Sequence, residues 1–147
     1  MAEQETRDGR AARDGRPGRT SNGPGRVLIG VYILFAIAAS SRAGVQIATR
    51  FGEAPVAYLL SAIAALVYLV AAAGLIVDGQ VGRRIAYVCC SVELAGVLGV
   101  GAASVAVPAA FPDETVWSGF GSGYGYIPLV LPVIGLWWLF SRSRIQR

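Results

Sequence analysis

Val56–Val77 reads VAYLLSAIAALVYLVAAAGLIV and holds no charged residue. A hydrocarbon core about 30 Å thick needs about 20 helical residues at about 1.5 Å each, so this run is long enough to cross a bilayer. Lipid offers backbone N–H and C=O groups no partner, so a crossing segment is either a helix or part of a closed barrel. Barrel strands are shorter and alternate polar with apolar residues; this run does neither.

Three more apolar runs flank it. The first, Val27 to about Ile47, opens VLIGVYILFAIAASS and then meets Arg42. The third, Ile85–Val107, is interrupted by Glu93, and the fourth, Tyr124–Phe140, lies within YGYIPLVLPVIGLWWLF. Together they predict an all-α fold: a four-helix transmembrane bundle over residues 27–147, with spans near 27–47, 56–77, 85–107 and 124–140. The start of the fourth is the least defined. Pro128 fits a first helical turn, whereas Pro132 is a candidate kink. A cleaved signal peptide is the rival for the first run, but the segment before it is long, holds Glu3, Glu5, Asp8 and Asp14, and has no twin arginine.

Composition agrees. Hydrophobic residues make up 54% and charged residues 15% of the chain, and mean hydropathy is +0.55. Soluble domains carry about a quarter charged residues. The charges sit mostly at the ends. Residues 1–26 are rich in Gly, Arg, Asp and Pro, contain Arg-Asp-Gly-Arg twice (Arg7–Arg10 and Arg13–Arg16), and are predicted to be a disordered cytoplasmic tail. If that tail is inside, the inner segments hold six, two (Arg83, Arg84) and three arginines, eleven in all, against Arg42 and Arg50 outside. The positive-inside rule therefore predicts a plasma-membrane protein with both termini in the cytoplasm. Basic tails beside a bilayer meet anionic headgroups, so no nucleic-acid partner is expected; the bilayer is the expected partner.

Absences limit the chemistry. There is no His and no Lys, and Met1 is the only Met. Haem ligation and His-based metal sites lose their ligands, and Schiff-base and P-loop lysine chemistry are excluded. No cofactor and no metal are expected. No nucleophile with a nearby base is evident in the spans, so a non-enzymatic protein is expected.

Glu93 carries the most weight. It lies about eight residues into its span, roughly 12 Å deep. An ionised carboxylate there costs several kcal/mol unless it faces other helices, a partner or water. Tyr68, at similar depth in the second span, is its expected hydrogen-bond partner; Arg42 lies nearer the outer face. Two readings fit: a structural group fixing helix packing, or a proton-coupling residue such as small multidrug transporters hold. Those four-span transporters carry the carboxylate in their first helix, unlike this chain. Ala95, Gly99 and Ala103 form a small-residue row that suits close helix packing, while Cys89, Glu93, Val97 and Gly101 form a separate row. Cys89 and Cys90, adjacent and without further ligands, are expected to be small apolar fillers.

Phe111–Pro128, FPDETVWSGFGSGYGYIP, places Gly119, Gly121, Gly123 and Gly125 at every second position among aromatic residues. An extended chain would put these glycines on one face, and a helix would pair them at spacing four; both allow close backbone approach. Trp117, Phe120, Tyr124 and Tyr126 suit the headgroup zone and form a candidate loop for docking a partner or capping the bundle. Gly-Tyr-Gly occurs in potassium-channel filters, but here no pore helix precedes it and Thr115–Val116 are displaced. Trp137 and Trp138 are expected anchors at the inner interface.

SVELAGVLGVG (Ser91–Gly101) followed by FPDETVWSGFGSGYGYIPLVLPVIGLWWL (Phe111–Leu139) resembles a group of short actinobacterial four-span integral membrane proteins of unassigned function. An all-Arg basic complement also fits a GC-rich genome. The resemblance covers roughly the second to fourth spans and implies four spans in a plasma membrane, without site residues. The functional expectation is an accessory or structural membrane subunit, joined to a larger membrane complex or to itself. The alternative is a small homo-oligomeric transporter or channel using Glu93 as coupling residue.

Overall fold

Four helices account for most of the chain in the computed structural model, which describes residues 23–145. They are α1 (Gly23–Arg50), α2 (Pro55–Ile76), α3 (Gln80–Ala106) and α4 (Ile127–Ile145). Two short 3-10 segments, Pro108–Ala110 and Ser118–Tyr124, link α3 to α4. The tail expected over residues 1–26 lies outside the described residues up to position 22. Its last four residues form the first turn of α1, where Pro24 is tolerated because early helical N–H groups have no partner within the helix.

Short links at residues 51–54 and 77–79 make α1, α2 and α3 successive antiparallel neighbours. Pro55 starts α2 in the first turn, and Gly79, at φ 103°, immediately precedes α3. That dihedral favours glycine. Packing follows chain order around a square: α1 on α2, α2 on α3, α3 on α4, with a slighter contact closing α4 onto α1. Among the described residues the backbones of α1 and α3 do not approach each other, so these helices are diagonal.

Three helices, α1 to α3, are each long and apolar enough to cross a membrane; α4 qualifies together with the segment Ser118–Tyr124, to which it is bent by 98°. The break falls at Gly125 and Tyr126, both at positive φ, and not at Pro132, which lies inside α4 and is buried. The bundle is inverted relative to a soluble one. Its interior is built from Tyr32, Tyr58, Tyr68, Glu93 and many alanines, while Leu34, Ile37, Ile63, Leu66, Val88, Leu98 and Val133 point outward. Water tolerates exposed apolar patches of a few hundred Å² only, whereas hydrocarbon solvates such a surface everywhere. The chain is an all-α membrane protein.

Candidate functional site: a buried polar cluster beneath a pinned loop

The buried face of α3 runs through Ala86, Cys89, Cys90, Glu93, Val97 and Gly101 at helical spacing. It is therefore the Glu93 row that faces the interior. Ala95, Gly99 and Ala103, the row that suited close packing, are exposed, and a Cβ added at Gly99 would touch nothing. In lipid a small side chain is as acceptable outside as inside, so small size alone does not mark the packed face.

Glu93 is 0% exposed. Its partner is Tyr32 on the diagonal helix α1, whose hydroxyl donates to Glu93 Oε2 at 2.8 Å. The Tyr32 oxygen lies 3.3 Å from Cys90 Sγ. Because the phenol proton is directed at the carboxylate, the thiol is the donor in that second contact. Cys90 is thus part of the polar cluster and not only an apolar filler; both cysteines are free thiols. Gly135 on α4 lets this corner close, since a Cβ there would come within 2.9 Å of Cys90 Sγ.

Tyr68 enters from α2. Its ring meets Tyr32 at 6.2 Å and Phe35 edge-on at 5.7 Å, and Phe35 continues to Tyr124 at 6.0 Å. The Tyr68 hydroxyl neighbours both Glu93 and Trp117 but has hydrogen-bonding geometry to neither. Tyr68 O–H, Trp117 Nε1–H and Glu93 Oε1 are all buried without a hydrogen bond. Tyr68, beside Glu93, is thus a donor next to a carboxylate with one unbonded oxygen. Leaving such groups unmade costs about 1–3 kcal/mol each.

Trp117 reaches this depth because the loop folds inward. The Thr115 hydroxyl accepts from the backbone N–H groups of Trp117 (3.1 Å) and Ser118 (3.0 Å), and Ser118 Oγ accepts from Thr115 N–H (2.9 Å), closing a tight turn. The chain then passes through left-handed Gly119, Phe120 and Gly121, so the glycine-rich stretch is neither extended nor α-helical. The close approach expected of its glycines is also made by those of α3. A Cβ at Gly96 would lie 2.7 Å from the Trp117 ring, and one at Gly101 2.6 Å from Phe120.

Side chains from three helices hold the loop. Arg42 of α1 donates to Tyr124 Oη at 2.6 Å and to the Glu114 carbonyl at 3.0 Å. Tyr58 of α2 donates to Asp113 Oδ2 at 2.6 Å, and Ser104 Oγ of α3 accepts from Gly119 N–H at 2.9 Å. Of the four loop aromatics, Trp117 is buried, Phe120 and Tyr124 are half-buried against the bundle, and Tyr126 is 52% exposed. Arg42 serves the loop and not Glu93.

Sequence reasoning missed Tyr32. Its bond to Glu93 crosses the bundle diagonal, and only the packing of the helices brings the two together. Among the described residues no group of three or more His, Cys, Asp or Glu could hold a metal. What the cluster can do chemically is hold or exchange a proton at Glu93 and orient it by the Tyr32 phenol. No family model matches the chain, and no curated protein or solved structure matches it significantly.

Proposed function

We propose that this membrane protein is a non-enzymatic accessory or structural subunit of a bacterial plasma membrane, akin to the short actinobacterial four-span proteins its sequence resembles. One observation carries the reading: Glu93 is sealed inside the chain's own bundle and bonded across the diagonal to Tyr32. A carboxylate so enclosed serves helix packing, and a rigid small bundle is suited to support a larger membrane complex or a second copy. Extraction in mild detergent followed by native mass spectrometry tests this. A fixed-stoichiometry complex is expected; a lone chain that carries proton-linked flux in liposomes overturns it.

A second reading, a small homo-oligomeric transporter or channel, is favoured by the unbonded Tyr68 Oη, Trp117 Nε1 and Glu93 Oε1. Such a set permits the rearrangement that loading and unloading a proton requires. Loss of flux in Glu93→Gln, with the protein still folded, would select it.

Orientation with both termini cytoplasmic is supported by charge. Among the described residues one end of the bundle holds Arg26, Arg83, Arg84, Arg142 and Arg144 with Asp78, and the other Arg42 and Arg50 beside Glu53, Asp113 and Glu114. An alkaline phosphatase fusion at Asp113 should be active and one at Arg83 inactive.

A further inference from the structure

At the arginine-rich end, the α2–α3 turn and the last turns of α4 part around a cleft of about 350 Å³. Arg83 and Gln80 form one wall, Trp138 and Arg142 the other, and Leu75 and Leu139 lie deeper. A second hollow shares Gln80 and Arg83 and adds Arg84. We infer that this cleft holds the phosphate headgroup of an anionic phospholipid, with an acyl chain running down toward Leu75 and Leu139.

The cleft has the required depth. It opens where α2 ends at Ile76, α3 begins at Gln80 and α4 nears its end, which is the headgroup level of a bundle that spans the hydrocarbon. Its chemistry matches as well. Guanidinium groups present planar N–H forks that fit phosphate oxygens two at a time. One wall arginine, Arg142, is presented from an aromatic platform. Arg142 stacks on the Trp138 ring at 4.6 Å, and Trp138 packs so closely on α1 that a Cβ at Gly25 would meet its ring at 2.6 Å. A cation presented from a rigid aromatic platform loses little freedom on binding. Asp78, also on the lining, opposes an anion, but the cleft's two arginines, Arg83 and Arg142, outnumber it. Polar heads above and leucines below suit an amphiphile better than a free anion. Phospholipids occur in both leaflets, so the assignment rests neither on the orientation nor on the subunit reading.

The test uses the full chain in mild detergent with phosphatidylglycerol or phosphatidylcholine, the bound fraction being read by native mass spectrometry. Phosphatidylglycerol should bind about tenfold more tightly, and Arg83→Ala with Arg142→Ala should abolish that preference. Asp78→Asn should raise phosphatidylglycerol affinity about fivefold, a gain that misfolding cannot produce. Arg50→Ala, at the opposite end, should change nothing. Equal binding of the two lipids, no gain in Asp78→Asn, or an Arg50→Ala loss as large as that of the cleft variants overturns the assignment. Displacement of the lipid by millimolar inorganic phosphate would give the cleft to a free anion and overturns it equally.

Discussion

At one end of the bundle the chain from Asp113 to Tyr124 is tied to α1 by Arg42, to α2 by Tyr58 and to α3 by Ser104. At the other end the α2–α3 turn and the end of α4 stand apart around a cleft bordered by arginines. The closed end uses directional hydrogen bonds from each neighbouring helix and sends a large aromatic into the centre. The open end concentrates like charges, which repel at short range and favour anionic company. Closing a bundle therefore depends on side chains aimed from every helix; a short link between two helices does not suffice.

The contrast breaks most visibly at Trp117. Trp117→Ala should destabilise the protein by about 3–5 kcal/mol in denaturant titrations in detergent, since it empties the centre of the closed end. Trp117→Phe should cost clearly less, because the indole N–H makes no hydrogen bond. Next, Glu93→Ala should cost about 2 kcal/mol by leaving the Tyr32 hydroxyl unpaired, while Glu93→Gln, which keeps an acceptor, should cost about 0.5 kcal/mol. If both cost the same, the Tyr32 bond is not what Glu93 contributes.

Arg42→Ala comes third, at about 1–2 kcal/mol, with its larger signature in faster amide exchange over Thr115–Tyr124 than over α2. Uniform exchange across the chain would mean that Arg42 does not hold the loop. Smallest, Arg84→Ala at the open end should shift stability by no more than about 0.5 kcal/mol. A larger loss there would remove the asymmetry between the ends.

Sequence alone made the helices legible because the solvent imposes them: an uncharged run such as Val56–Val77 has one structural solution in lipid. It was less informative about faces. Ala95, Gly99 and Ala103 turned outward while Gly96 and Gly101 received Trp117 and Phe120, and nothing in the spacing ranks one small residue over another. The bulky residue that fills the notch lies on another segment, and its arrival depends on left-handed turns at Gly119 to Gly121. Tyr32 was hidden because its partner lies on the diagonal helix, and order along the chain does not show which helices face each other across a bundle. Gly23–Arg26 resembles a linker by composition, yet it is helical. Arg42 could be excluded as the Glu93 partner by depth alone, whereas its bond to Tyr124 required the fold of the loop.

The diagonal bond also has a direction in time. Tyr32 precedes Glu93 by 61 residues, so during synthesis its hydroxyl is made before the carboxylate emerges. The most costly group in the chain thus enters the bilayer after its donor, and Trp117 follows them both. Reversing that order, by a circular permutation that starts at Gln80, would send Glu93 into lipid ahead of Tyr32 and should lower the yield of inserted protein more than that of one starting at Phe111, which keeps Tyr32 ahead of Glu93.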